Sequence, residues 1–517
     1  MISSLNQIFH MMNETSKLLL ICSFFFLILS LFFSRKNLKT GLLFLFCSSL
    51  FIGAAFATFT PYLNLWDEQF HALVAKSMSE NPLKPTLYPY APLDYDYKSW
   101  ISNHIWLHKP PLSLWQIALS IKLFGTNYFA VRIPSIVMHA LLVFPAFSMG
   151  KMIWSAKTGY YAALVFSFLN FPLDLVSGYH TSDHVDMAFI FYVTLSIWAW
   201  VKYYDSRKSK HLLLVGTFVG LAILTKWLVG LLVFAGIGAV LICDVELRKS
   251  LLFWKHLAMS LIVVLALVLP WHIYVYVNFR LEYLHEFQYN TLHFSTVVEG
   301  HGGGLWYYWN NLSTLYGSAE LLSYLILISF LFVWKTASRL ALFLYVVVIS
   351  VYLFFTLAAT KMPAFTAILV PVIILVVCAF VIWILDKIKS KVALWEQLSR
   401  LTFMPVIVFL VMSLLGFGKI HGIHFKDHNN DLFDKVHYEA RNQLIQSIDF
   451  PNKQKAILFL NDEFAVYHEP ILWMFYHNDL IAYEGAAMTY NLSSDKLKAY
   501  IIYEMTNGRI IQLNIAK

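Results

Sequence analysis

Two carboxylates in succession, Asp67 and Glu68, stand directly after Trp66, just past the first long apolar stretches of the chain. Charge at a bilayer edge is costly and is usually kept for function; the bland alternative is an acidic pair that stabilises a helix N-terminus. Other polar residues collect at the same kind of position. Lys109 lies beside His108 and before Pro110-Pro111, and Arg132 opens the next apolar run. His180, Asp183, His184 and Asp186 precede another run, and Lys226 and Lys361 sit at the ends of two more. His301 and Tyr307 occupy a second long polar stretch. Carboxylates with three lysines and an arginine suit an anionic ligand whose phosphate needs cations while a carboxylate accepts a proton. Cations that snorkel to an interface are the plain alternative for each basic residue. His108, His180, Asp183 and His184 form a candidate divalent-metal set, weighed against ordinary interfacial histidines.

These residues need elements to hold them. The chain has 517 residues, of which 59% are apolar and 13% charged. A soluble chain would be roughly a quarter charged, so this is a polytopic membrane protein. Apolar runs fall near 18–33, 41–60, 129–150, 159–176, 185–204, 211–225, 227–243, 251–275, 312–334, 340–359, 364–385 and 401–418, about twelve crossings. The connecting segments alternate. One set is short and basic, for example Arg35-Lys36 and the run around Arg207-Lys208, and the positive-inside rule makes it cytoplasmic. The other set comprises 61–128, the segment near 177–185, 276–311 and the tail from 419, and lies outside with every residue named above. The net charge of +8 is spread over the short loops, which argues against a nucleic-acid partner. Cys22, Cys47, Cys243 and Cys378 all lie in apolar runs and read as buried small hydrophobes.

Within the outer segments, 67–80 has a helical pattern, and 111–123 reads as an amphipathic helix on the membrane surface. Residues 419–517 alternate helical stretches (438–449, 466–477) with β-like runs (455–460, 480–484, 497–503, 509–515), which predicts a small α/β domain on the outer face. The expected fold is an all-α polytopic membrane domain over 1–418, with loops 61–128 and 276–311 building the site, followed by that domain. The chemistry this suits is sugar transfer from a lipid-linked phosphate donor. Lysines would neutralise the leaving phosphate and a carboxylate would serve the attacking hydroxyl. Trp66, Trp100 and Trp106 could stack on sugar faces or simply anchor the interface.

The run His108-Lys109-Pro110-Pro111, followed by Phe124-Gly125 and then Arg132-Ile133-Pro134-Ser135, resembles the Lys-Pro-Pro … Phe-Gly … Arg-Leu-Pro-Ser signature of bacterial GT-C glycosyltransferases. These are the relatives of the lipid A aminoarabinose transferase and of the protein O-mannosyltransferases. Asp67-Glu68, Asp186-Met187, Leu224-Thr225-Lys226, Pro270-Trp271, Glu299-Gly300-His301 and Thr360-Lys361-Met362-Pro363 are similar to further motifs of the family, in the same order. The resemblance implies a GT-C fold in the bacterial inner membrane, with the site and C-terminus periplasmic. It implies an inverting transferase that uses a polyprenyl (undecaprenyl) phosphate sugar, with a lipid A-like glycolipid or a protein as acceptor. Asp67, Glu68 and Asp186 would be catalytic, and Lys109, Lys226, Lys361 and Arg132 would bind the donor phosphate. His301 and Tyr307 would belong to a substrate-facing loop. No cofactor is required, a divalent metal being the alternative. The chain departs from the family at Gln69-Phe70-His71, where an arginine is usual, at His108 in place of an acid, at Trp227 in place of glycine, and in an additional first span, 18–33. A lipid or polysaccharide transporter is the rival reading from another class. It predicts charges at mid-span and inverted repeats, and neither is visible here.

Overall fold

The computed structural model describes residues 13–179, 184–316, 325–332, 338–389 and 435–513, apart from 449, 451–454, 491–496 and 498. The expected crossing at 401–418, the metal candidates His180 and Asp183, and the boundary at 418/419 lie outside the described residues.

Among the described residues, eight helices are long and apolar enough to cross a membrane: Glu14–Ser34, Leu38–Ala57, Tyr128–Ile153, His184–Ser206, Ser209–Lys226, Leu251–Asn278, Arg339–Leu357 and Pro363–Lys387. A ninth is formed if Ala156–Ser167 and Asn170–Ser177, bent by 46°, are taken as one broken span. The chain is a multi-pass membrane protein. Polar caps set several helix starts. Asn37, Asn127 and Ser250 each accept a backbone N–H from the first turn, satisfying donors that have no partner within the helix.

The additional first helix has a physical account. Ser16, Ser23 and Ser30 recur every seven residues and are fully buried against Leu38–Ala57. Ser23 Oγ donates to Ser48 O at 2.8 Å, Ser48 Oγ donates to Ser23 O at 2.8 Å, and Ser30 Oγ donates to Gly41 O at 2.7 Å. Small hydroxyl residues let the two backbones approach and then bond across the contact. The same logic joins Val143–Ile153 to Ala156–Ser167, where a Cβ on Gly150 would lie 2.4 Å from Gly159 Cα.

The segments 61–128 and 276–311 carry more helix than expected. Asp67–Glu80 and Pro111–Phe124 agree with the predicted helices, but 276–311, read as a loop, contains Arg280–Ser295. The C-terminal unit holds a four-stranded sheet in the order β2-β1-β3-β4. Its strands are β1 Ala456–Leu460, β2 Leu480–Glu484, β3 Ile501–Thr506 and β4 Arg509–Leu513. β1 is central, parallel to both neighbours and buried at all five residues, as its unbroken apolar sequence requires. β3 and β4 form a hairpin through Asn507-Gly508, both at positive φ (49° and 74°), the conformation a two-residue turn demands.

The unit docks on the 61–128 segment through one shared apolar cluster that includes Phe70, Leu73 and Trp473. Lys76 Nζ donates to Met474 O and Phe475 O at 2.8 Å and to His477 O at 3.1 Å, capping the end of helix Glu469–Tyr476. Burial there pulls the Lys76 ammonium down to about 8. Gln69 Nε2 donates to Tyr438 Oη at 2.7 Å, and that hydroxyl donates to Leu63 O at 2.8 Å.

Candidate active site

Asp67 and Glu68 open the same helix but face different surroundings. Successive residues at a helix start point roughly 100° apart, so Glu68 turns inward while Asp67 stays partly exposed. Glu68 is fully buried. Arg132 Nε donates to its Oε1 at 2.7 Å and Arg132 Nη2 to its Oε2 at 2.8 Å. The Asn64 N–H reaches Oε2 at 2.5 Å, and His184 Nε2 lies 3.0 Å from Oε1. Burial raises the Glu68 carboxyl, but Arg132 and His184 outweigh it and hold the group below the usual carboxylate range. Gly178, at φ +72°, packs on this carboxylate, and a Cβ there would sit 2.4 Å from Glu68 Cδ.

Arg132 has five N–H donors. Two go to Glu68. The others reach Ala57 O at 2.7 Å, Thr60 O at 2.8 Å and Tyr62 O at 2.7 Å. The expected phosphate contact from Arg132 has no donor left to make it, and the expected catalytic role of Glu68 meets a carboxylate already saturated by partners. His184 is likewise committed, with Ser135 Oγ 2.9 Å from its Nδ1 and Glu68 on its Nε2. Among the described residues no three of His, Cys, Asp and Glu gather as a metal site would require. His108 instead faces Glu286, Nδ1 to Oε2 at 3.3 Å, and stacks on Trp100 with ring centroids 5.1 Å apart.

The remaining candidates form an arc. Two residues beyond His184, Asp186 accepts a hydrogen bond from Lys226 Nζ. Lys226 also lies over the Phe365 ring, 5.3 Å from its centroid. Phe365 follows closely on Lys361, which is buried and donates its Nζ to Ala358 O. The stretch 359–361 is stitched to the segment 276–311. Ala359 N donates to Phe294 O and Thr360 N to His293 O, both at 3.0 Å, and Lys361 N donates to His301 O at 2.9 Å. Thr360 Oγ donates to Thr296 O at 2.9 Å and accepts from Val298 N at 3.1 Å. Tyr307 begins a short helix and covers Gly303, where a Cβ would fall 2.3 Å from its ring.

The loop also brings in residues the sequence reading did not assign. Glu299, at φ +53°, accepts from Tyr289 Oη at 2.7 Å. Burial pushes its carboxyl up, but the Tyr289 hydrogen bond and the charges of His108, Lys109 and His301 hold it below the usual range. Lys109 therefore sits within electrostatic reach of Glu299, and it shares a small cleft with Trp271 and Glu286. Glu299 was legible as part of Glu-Gly-His. Glu286 was hidden because its segment was read as loop.

The model of the dolichyl-phosphate-mannose-protein mannosyltransferase family matches residues 108–274. An undecaprenyl phosphate-alpha-4-amino-4-deoxy-L-arabinose arabinosyl transferase of Pseudomonas aeruginosa is 34% identical over 147 residues, 26% of each chain. A protein of the same description from Pseudomonas savastanoi is 26% identical over 282 residues, 52% of this chain and 50% of the other. These matches thus span between a quarter and half of the relatives' length. The crystal structure of ArnT from Cupriavidus metallidurans bound to undecaprenyl phosphate superposes with a TM-score of 0.59 at 14% identity, over 88% of this chain and 86% of that one. The chain therefore has the GT-C fold, and the segment matched by the mannosyltransferase family model, 108–274, carries Lys109, Arg132, Asp186 and Lys226.

Proposed function

We propose that this protein is an inverting glycosyltransferase that moves a sugar from a polyprenyl phosphate, undecaprenyl phosphate in a bacterium, to a lipid A-like glycolipid. The reading places it in the inner membrane, with the arc and the C-terminal unit 419–517 on the periplasmic side of the domain 1–418. The observation that carries it is the Asp186–Lys226 pair, with Lys226 over the Phe365 ring and the 359–361 stretch bonded to Phe294, His293 and His301, while Glu68, the neighbour of the partly exposed Asp67, binds His184 two residues before Asp186. The acceptor oxygen attacks the anomeric carbon while Asp67 takes its proton. The bond from that carbon to the phosphate oxygen breaks, and the phosphate leaves with the electron pair. Lys226, aimed by Asp186, and Lys109 stabilise the charge that develops on it. Glu68 and Arg132 form the buried brace that fixes Asp67. A protein hydroxyl as acceptor is the second reading, favoured by the description of the matching family model.

Mass spectrometry of envelope glycolipids and lipid-linked sugars tests this, in cells with wild type, a deletion, or Asp67→Asn. Loss of one sugar mass from the glycolipid, with build-up of the matching donor in both mutants, is expected. Loss from glycoproteins alone moves the acceptor to protein. An Asp67→Asn strain that matches wild type removes Asp67 from catalysis and brings the transporter reading forward.

A further inference from the structure

Helix His184–Ser206 carries Asp186 in its first turn and Tyr204 about 27 Å further along, at 1.5 Å per residue. At that far end, opposite the arc, three segments meet on one buried carboxylate. Asp244 is 1% exposed. Its Oδ2 accepts from Tyr204 Oη at 2.7 Å, and its Oδ1 from Leu247 N at 3.0 Å. Two guanidiniums also close on Oδ2. Nη1 of Arg339, the first residue of helix Arg339–Leu357, lies at 2.9 Å, and Arg207 Nη2 at 3.5 Å. One carboxylate thus faces two cations, and the cluster keeps a net positive charge.

Neither arginine is exhausted by this contact, in contrast to Arg132. Their side chains are 42% (Arg207) and 51% (Arg339) exposed. Arg339 uses only Nη1, which also reaches Tyr204 Oη at 3.4 Å. Arg207 uses only Nη2, and its guanidinium lies over the Tyr204 ring, 4.3 Å from the centroid. The other N–H groups of both have no protein acceptor among the described residues. Arg207 also stands where glycine is the usual residue. It directly follows its helix at φ +56°, and its N–H donates to Tyr203 O at 2.7 Å. A side chain is held there against the backbone preference, and it is a guanidinium. The surroundings are apolar and open. From Asp244 the chain runs through Val245–Lys249 into the span Leu251–Asn278, and along it Ile242, Val245, Leu251 and Leu252 are exposed. Trp254, exposed as well, donates Nε1 to Arg248 O at 2.8 Å. A tryptophan at the start of a span marks the headgroup level of the bilayer. A ligand that satisfies this place needs an anionic head for the guanidiniums and apolar chains for the exposed leucines.

We infer that this end of the bundle holds a specific site for one anionic phospholipid, whose phosphate bridges Arg207 and Arg339 and whose acyl chains lie along Leu251 and Leu252. Native mass spectrometry of the full chain in detergent, titrated with phosphatidylglycerol or phosphatidylcholine, tests it. Wild type should hold one phosphatidylglycerol about tenfold or more tightly than phosphatidylcholine. Arg207→Gly should erase that preference, as the loss of a charge-assisted contact implies. It should still fold, because Arg339 continues to neutralise Asp244 and glycine suits the left-handed position. Arg339→Lys keeps the charge that Asp244 needs but removes the planar fork, and should weaken phosphatidylglycerol severalfold. Lys39→Gln removes an exposed cation at another helix start and should change nothing. Soluble glycerol phosphate at equal concentration should not displace the lipid. Equal binding of the two lipids, undiminished preference in Arg207→Gly and Arg339→Lys, or an equal loss in Lys39→Gln overturns the inference. Displacement by glycerol phosphate also overturns it, since the site would then take a free phosphate.

Discussion

Replacing Glu68 by glutamine separates the two neighbouring carboxylates. The substitution keeps the shape of the side chain but removes the charge that faces Arg132 across 2.7 and 2.8 Å, with both side chains at 0% exposure. The guanidinium would remain buried with its three backbone carbonyls but without a counter-charge. Breaking a buried pair from one side costs about 3–5 kcal/mol. Glutamine retains one acceptor oxygen, so the lower end, about 3 kcal/mol, is expected. On the scaling for larger single domains this is a fall in melting temperature of about 5–10 °C. The assay is thermal unfolding in detergent, read by loss of the monodisperse peak, run beside Asp67→Asn. Asp67→Asn, which leaves the buried Glu68–Arg132 pair intact, should fall less in melting temperature than Glu68→Gln, yet lose about a hundredfold to ten-thousandfold in transfer rate. Replacing Glu68 and Arg132 together by apolar residues should cost less than the sum of the single changes. A Glu68→Gln protein that is as stable as wild type and inactive would refute the reasoning, because it would make Glu68 a reacting group and not a brace.

Three further outcomes follow from the geometry. Lys226→Ala should raise the KM for the lipid-phosphate donor about tenfold to a hundredfold, the worth of one charge-assisted hydrogen bond, with Lys226→Arg recovering part of it in a steady-state transfer assay. Gly178→Ala places a methyl group 2.4 Å from Glu68 Cδ at φ +72°, and should destabilise the protein by about 2 kcal/mol or more in the same melting assay. Acid should loosen the C-terminal unit. Burial pulls the His468 imidazole, packed against Trp66, Phe70 and Tyr467, down to about 4, below its unfolded value of about 6.5. The unfolded form therefore binds more protons in that window, so docking stability is full above about 6.5 and falls as the pH drops towards 4. Corrected for the slower intrinsic exchange at lower pH, the protection of the β1 and β2 amides should fall between pH 7 and pH 5, and unchanged protection would contradict the assignment.

Much of the architecture was legible because it depends on local pattern. Apolar runs of membrane length, basic loops and alternating β-like runs are properties of short windows. Helices Asp67–Glu80, Pro111–Phe124 and Glu469–Tyr476 and all four strands lie close to where periodicity puts them. Arg280–Ser295 was missed because its mean hydropathy is near neutral and its aromatic residues mask the helical period.

The sequence by itself determined the membrane class, the gathering of polar residues at helix ends and the order of motifs. Only the tertiary structure decided which polar residues are already satisfied by the protein. Asp67 and Glu68 are adjacent acids with the same intrinsic chemistry, and no local pattern distinguishes them. A rotation of one residue along the helix sends Glu68 onto an arginine 64 positions away and leaves Asp67 partly exposed. Arg132 and Lys226 likewise read as equivalent cations. The fold spends all five donors of the first on Glu68 and three carbonyls. It pairs the second with the Asp186 carboxylate and keeps its side chain 20% exposed. Satisfaction of a buried polar group depends on partners supplied from distant parts of the chain, so it is a property of the packed molecule.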